Sequence, residues 1–347
     1  MDKENNIEKE INKFLKNFFS TTHNENKILL NNIKKIYVLI SFLCNNLEKL
    51  DIETKDLRNS TRKDYIKKIQ LINDFYKSIG INFKVNDIEK NGTINILETN
   101  EPKDATSQLT YGYNNYVLCE ERSFDPKTKE VITTCRNYHK SINVYNNDLL
   151  TDSIIWVHEI SHYKNQPKEK RHEVNDILTE LIAYTEELLY IDYLENIGYE
   201  EEAKIFKIME YQNLYSILNF SYYIIKITLL YYLLGSVNKE NYLLLYKEDK
   251  SYNKALELFN KGKNDIRLCY HYSIAIISLY NYIEYKKDKS FLENLKRLNK
   301  EIMNYNISLE NALKIINLKL DRESLNKILD RINIYRNSLL EERKNIK

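Results

Sequence analysis

Glycine occurs 6 times and proline 3 times in 347 residues, and all three prolines lie between Pro102 and Pro167. Proline removes a backbone donor and clashes with a helical turn, while glycine supplies the left-handed conformations that end helices and make tight turns. A chain with so little of either has little to interrupt helices, so it is expected to be mainly α-helical. The exception is 81–150. There Asn91-Gly92, Pro102, Gly112 and Asp125-Pro126 punctuate short β-prone runs at Thr93–Ile96, Tyr116–Cys119 and Val131–Thr134. The expected organisation is a helical region at 1–80, a small β-rich segment at 81–150, and a helical region at 151–347 that forms one continuous domain with that segment. Helix breaks are expected near Pro167, Gly198, Gly235–Val237 and Gly262, with new helices starting near Ser308 and Asp321.

Charge and apolar patterning exclude several function classes. Lys+Arg number 52 against 50 Asp+Glu, a formal charge of +2, which offers no electrostatic footprint for nucleic acid. The segment Ser216–Val237 is long and apolar, but Lys226 sits in its middle, with Asn219, Ser221 and Thr228 diluting it. A buried helix is expected there rather than a membrane span. The start of the chain has neither the apolar core nor the cleavage site of a secretory signal. Cys119 and Cys135 flank a hairpin read at Tyr116–Phe124 and Val131–Tyr138. Pairing Phe124 with Val131 sets Cys119 opposite Arg136, not Cys135. Reduced thiols and a cytoplasmic location are therefore expected.

Against this background stands His158-Glu159-Ile160-Ser161-His162. Four residues slightly exceed one helical turn, so both imidazoles leave one helix face and can grip one ion. Glu159 points about a quarter turn away, placed to take a proton from metal-bound water. Asp152 and Ser153 supply N-cap chemistry ahead of Ile154–Val157, and Pro167 requires the helix to have ended. A second helical run, Val174–Tyr190, carries Glu180, which can supply a third ligand from a facing helix. Two histidines and a carboxylate with one open position suit Zn2+ best. His172 and Glu173 are alternative ligands from the connecting loop. Glu187, seven positions after Glu180 and on the same helical face, is the best candidate to orient an imidazole.

These residues resemble the oligoendopeptidase F and thimet oligopeptidase family of zinc metallopeptidases. Tyr145–Asp152 leading into His158-Glu159-x-x-His162 looks like that family's approach to its zinc helix, and Glu180–Leu189 matches its ligand-glutamate helix. Tyr270-His271-Tyr272-Ser273-Ile274-Ala275 resembles its Tyr-x-Tyr helix. The resemblance covers roughly 140 to 340. Ser161 stands where the family usually has Gly, Asn165 where it usually has His, and the chain is much shorter in the N-terminal half that walls the substrate channel. The resemblance implies a multi-helix zincin-type fold with zinc on His158, His162 and Glu180, and Glu159 as general base and acid. It further implies an oxyanion donor at Tyr272 or, alternatively, Tyr270, with His271 as a possible substitute for the family's substrate-binding histidine.

The function expected is a zinc-dependent endopeptidase cutting short or unstructured peptides. The alternatives are a regulatory protease dedicated to one partner, and a non-catalytic peptide-binding protein that keeps the fold. An edge strand at Tyr111–Cys119 is the expected seat for an extended peptide.

Overall fold

The structure is a computed structural model, and it describes residues 37–50, 65–85, 94–98, 112–125, 130–146, 150–165, 173–234, 237–246, 252–260, 275–303 and 307–344. Residues 37–46 are helical. There follow α1 (Tyr65–Ser78), β1 (Ile94–Glu98), β2 (Gly112–Asp125), β3 (Glu130–Asn146), α2 (Asp152–Asn165), α3 (Glu173–Asn196) and α4 (Glu200–Leu234). The remainder is α5 (Lys239–Tyr246), α6 (Tyr252–Asn260), α7 (Ala275–Tyr285), α8 (Phe291–Met303), α9 (Leu309–Ile315) and α10 (Arg322–Lys344). The protein is mainly α-helical, in keeping with its shortage of helix breakers.

The chain divides into two compact units. One takes Leu50–Glu210, Tyr285–Ile307 and Ser338–Lys347; the other takes Met1–Lys49, Tyr211–Glu284 and Ser308–Asn337. Stretches of 151–347 occur in both units.

In the first unit the strands form a sheet of order β1-β3-β2, with β1 parallel and β2 antiparallel to β3. The hairpin runs beyond Tyr116–Phe124 and Val131–Tyr138, from Gly112↔Val144 to Asp125↔Glu130, and Phe124 pairs with Val131. Between Leu118↔Tyr138 and Glu120↔Cys135 the register slips by one residue, a bulge at which Cys135 pairs with Glu120 rather than with Cys119. Both long strands lie against α2. Val144 from β3 is fully buried in a core with Ile72, Phe75, Trp156, Val157, Ile160, Tyr190 and Leu194. Each such side chain contributes about 1.5–3 kcal/mol through burial. The start of α2 is pinned by a buried ion pair, Lys68 Nζ to Asp152 Oδ2 at 3.3 Å, and the ammonium also lies over the Trp156 ring at 5.1 Å.

Glycine sets two helix ends here. Gly80 (φ +73) and Gly198 (φ +96) are each followed by the pair of backbone bonds that closes a helix through a left-handed residue. These are Ile81 N–H to Tyr76 O with Gly80 N–H to Lys77 O, and Tyr199 N–H to Leu194 O with Gly198 N–H to Glu195 O.

In the second unit, residues 216–234 form the later part of α4. Ile217, Leu218, Ile224, Ile225, Ile227 and Leu230 are buried. Lys226, only 2% exposed, directs its ammonium over Tyr222, Tyr246 and Tyr242 at 4.2, 5.0 and 5.8 Å. The aromatic faces supply the negative potential that a lysine in an apolar run requires. Among the described residues no helix is long and apolar enough to cross a membrane. Ser308 Oγ accepts the Asn311 N–H and Asp321 Oδ1 accepts the Ser324 N–H, so the two caps at the expected starts of α9 and α10 are made by side chains.

Candidate metal centre

The centre is built from α2 and α3. His158 and His162 sit one turn apart on α2 with their Nε2 atoms 3.0 Å apart and their rings edge-to-face, 4.6 Å between centroids. Glu180, near the start of α3, straddles them: Oε2 lies 3.4 Å from His158 Nε2, and Oε1 lies 3.3 Å from His162 Nε2. One donor atom from each residue falls within 4.8 Å of the others, so this group could hold a metal ion. Three electron-pair donors converging this closely repel one another unless a proton or a cation sits among them.

The electrostatics follow that logic. Burial alone would lower the His158 pKa, but the carboxylates of Glu187 and Glu180 outweigh it and hold the imidazole well above its ordinary value. Glu180 shows the converse. Burial would raise it, yet the two imidazoles hold it well below the usual carboxylate range. Without a metal, the cluster therefore carries a proton on His158 and a charge on Glu180. A metal cation would take over the work of that proton.

Glu187 hydrogen-bonds His158 Nδ1 through Oε1. Seven residues after Glu180, it returns to the same face two turns along α3 and reaches the far side of the same imidazole. With Nδ1–H donating to this carboxylate, the extra proton sits on Nε2, and a metal that displaced it would meet the Nε2 lone pair at the centre. His162 Nδ1, by contrast, is buried and has no hydrogen-bond partner among the described residues. The Tyr184 ring meets His158 edge-on at 4.8 Å.

Glu159 is 8% exposed, and burial raises its carboxyl pKa while His158 and His162 pull it down. It does not belong to the ligand group. Ser161 and Asn165, the two departures from the oligopeptidase pattern on this helix, turn out to be partners: Asn165 Nδ2 donates to Ser161 Oγ at 3.0 Å in a buried contact one turn apart.

Of the residues anticipated for the site, His158, Glu159, His162, Glu180 and Glu187 are brought together on α2 and α3. Tyr270, His271, Tyr272 and His172 lie outside the described residues, and Glu173 is the first residue of α3. One buried cluster behind the centre had not been anticipated. Glu186 accepts from Lys164 Nζ at 2.8 and 3.0 Å and from the Tyr76 hydroxyl at 3.1 Å. Two features of the sequence hint at it: a second acid beside Glu187 in the apolar run Leu181–Leu189, and a lysine two residues after His162. Burial pushes the Lys164 ammonium pKa down against the pull of Glu186, and pushes the Tyr76 phenol up. No protein-family model, curated protein or solved structure matches the chain, so the likeness to oligopeptidases rests on the motif residues themselves.

Proposed function

We propose that the protein is a zinc-dependent endopeptidase of zincin type acting on short or unstructured peptides. The observation that carries this reading is the spacing of the three donors. Zinc bonds of about 2.0–2.1 Å at tetrahedral angles put ligand atoms roughly 3.3–3.4 Å apart; here the two Nε2 atoms lie 3.0 Å apart, and Glu180 faces each with a different oxygen, Oε1 at 3.3 Å from His162 and Oε2 at 3.4 Å from His158. Two imidazole nitrogens and one carboxylate, with a position left for solvent, are the ligand set of catalytic zinc, while calcium and magnesium favour all-oxygen sites. When bound, the ion would supply a water acidified toward neutral pH and a Lewis acid for the scissile carbonyl.

The chain's own groups divide the remaining work. Glu159, adjacent to the ligands and raised by burial, accepts the proton of the attacking water and hands it to the departing amine. Glu187 holds the tautomer and direction of His158. The hydroxyl of Tyr272, or of Tyr270, donates to the oxyanion, with His271 beside them, as the oligopeptidase likeness implies. Among the described residues β2 is paired on one side only and lies against α2. Its open edge suits an extended peptide, which adds as a further strand by main-chain hydrogen bonds. A cytoplasmic location goes with this reading, since Cys119 and Cys135 are out of register for a bridge.

The test joins elemental analysis of the purified protein to cleavage of a mixed pool of short peptides by wild type and Glu159→Gln. One equivalent of zinc in both, with cleavage only by wild type, is the expected outcome. A folded protein that takes up no zinc would remove the reading. Zinc with no cleavage of any peptide would reassign the centre to binding.

A further inference from the structure

Lys164, Glu186 and Tyr76 are not among the three candidate donors, yet they bind three elements at one buried point. Glu186 on α3 receives Lys164 Nζ from α2 on both carboxylate oxygens, at 2.8 and 3.0 Å, and the Tyr76 hydroxyl from α1 at 3.1 Å. That hydroxyl is also 3.3 Å from the carbonyl oxygen of Val157, the residue before His158. The Lys164 ammonium closes the figure by lying 3.8 Å from the centre of the Tyr76 ring. Tyr76 is wholly buried, and the side chains of Lys164 and Glu186 are 9% and 7% exposed.

Glu186 and Glu187 are neighbours on one helix, so their side chains leave it about 100° apart. Both grip α2: Glu187 at His158, and Glu186 at Lys164, six residues or about 9 Å farther along that helix. A single contact would leave α3 able to roll about its axis. Two contacts in different directions fix the roll, and Glu180 shares the helix. We propose that Lys164, Glu186 and Tyr76 are positioning residues: a clamp that sets the rotation of α3 against α2, so that Glu187 and Glu180 both meet His158. The clamp rests on the metal-site reading and deepens it. A buried ion pair is a weak source of stability, because well-packed apolar replacements often do as well. Its use here is geometric, and geometry at the ligands is what metal affinity measures.

The experiment compares wild type with the double variant Lys164→Met/Glu186→Leu, which keeps the volume and removes the clamp without stranding a buried charge. Zinc affinity is read by competition with a chromophoric chelator, coordination geometry by the visible absorption of the cobalt(II) form, and folding by thermal melting. The expected result is a zinc dissociation constant raised about 10–100-fold with an altered cobalt spectrum, in a protein that melts cooperatively within a few degrees of wild type. A folded double variant with wild-type affinity and spectrum overturns the proposal, because a purely structural role predicts that pattern. If the double variant fails to fold, Tyr76→Phe decides. It deletes one hydroxyl and keeps the ring under Lys164, and the proposal requires at least a threefold loss of affinity there. Wild type binding no zinc would remove the metal-site reading itself, and that result differs from an unchanged variant.

Discussion

Replacing Glu187 with glutamine isolates the one contact that reaches around His158 from outside the ligand set. The change keeps shape and an acceptor oxygen but deletes the charge. In the native protein Glu187 and Glu180 overcome burial and hold His158 protonated well above its ordinary range, so an incoming ion must displace that proton. Apparent zinc affinity should then rise about tenfold per pH unit through neutrality, with one proton released per ion from His158. Glu180 adds no step there, being held far below 4.5 by the imidazoles. At the 3.4 Å separating His158 from Glu180, a unit charge pair at an effective dielectric of 20 is worth about 5 kcal/mol, before the cost of burying both charges. The net effect of losing one such partner is smaller, about 1.4–2.7 kcal/mol or 10–100-fold in affinity. In Glu187→Gln the His158 pKa falls, with Glu180 still holding it up, so the affinity curve should flatten at a lower pH than in wild type while lying below wild type at pH 8. Below pH 6 the two curves should draw together, because the variant has less proton competition to lose. Competition with a chelator of known affinity from pH 5.5 to 8.5 gives both curves. Parallel curves, displaced equally at every pH, would refute the argument.

Other perturbations test neighbouring links. Stripped of metal, the protein should lose melting temperature as pH rises: the stability from a raised His158 is complete below about 6.5 and fades through its folded-state value. The share contributed by the depressed Glu180 is present above about 4.5 and fades on acidification. Saturating zinc should abolish the alkaline loss, and equal slopes with and without zinc would contradict the proton assignment. Lys68→Met removes the ammonium that faces the buried Asp152 carboxylate and should cost about 3–5 kcal/mol in urea unfolding; a loss below about 1 kcal/mol would mean that the remaining contacts of the carboxylate hold its charge without the lysine. Gly198→Ala meets no atom within 4 Å but places a side chain at φ +96, so a loss of about 1–2 kcal/mol should appear from backbone strain alone.

The parts of this molecule that were legible in its sequence are those where one residue type has one physical use. Scarce Gly and Pro give a mainly helical chain, and Ser308 and Asp321 cap helices where they stand. The apolar segment with Lys226 inside it is a buried helix whose lysine is met by three tyrosine rings, an arrangement that needs partners from α5 and could not be read from the segment itself. What stayed hidden depends on contacts distant in sequence. Asp152 was read as helix-cap chemistry, and its carboxylate also meets Lys68 across 84 positions. Glu186 and Lys164 acquire their shared buried partner only when Tyr76 of α1 is folded over them. The division into two units was equally invisible, because it follows packing among stretches far apart in the chain.

Two spacings carry the centre, and they have different tolerances. Along a helix at 100° per residue, four residues return to within about 40° of the starting direction and seven to within about 20°. The wider angle separates His158 from His162, which converge on one point from slightly different directions, as two ligands of one ion must. The narrower angle separates Glu180 from Glu187, which must reach the same imidazole on opposite sides. Helix α2 therefore offers two donors to an ion that could sit there, while α3 supplies both a third donor and the carboxylate that meets the far side of the first. A small roll of α3 would move both of its glutamates together and leave the histidine pair intact. The histidine motif identifies where a metal can sit, but the rotation of its neighbour decides how tightly it is held. Two of the three residues proposed to fix this rotation, Glu186 and Lys164, lie one position from Glu187 and two from His162, outside the motif itself.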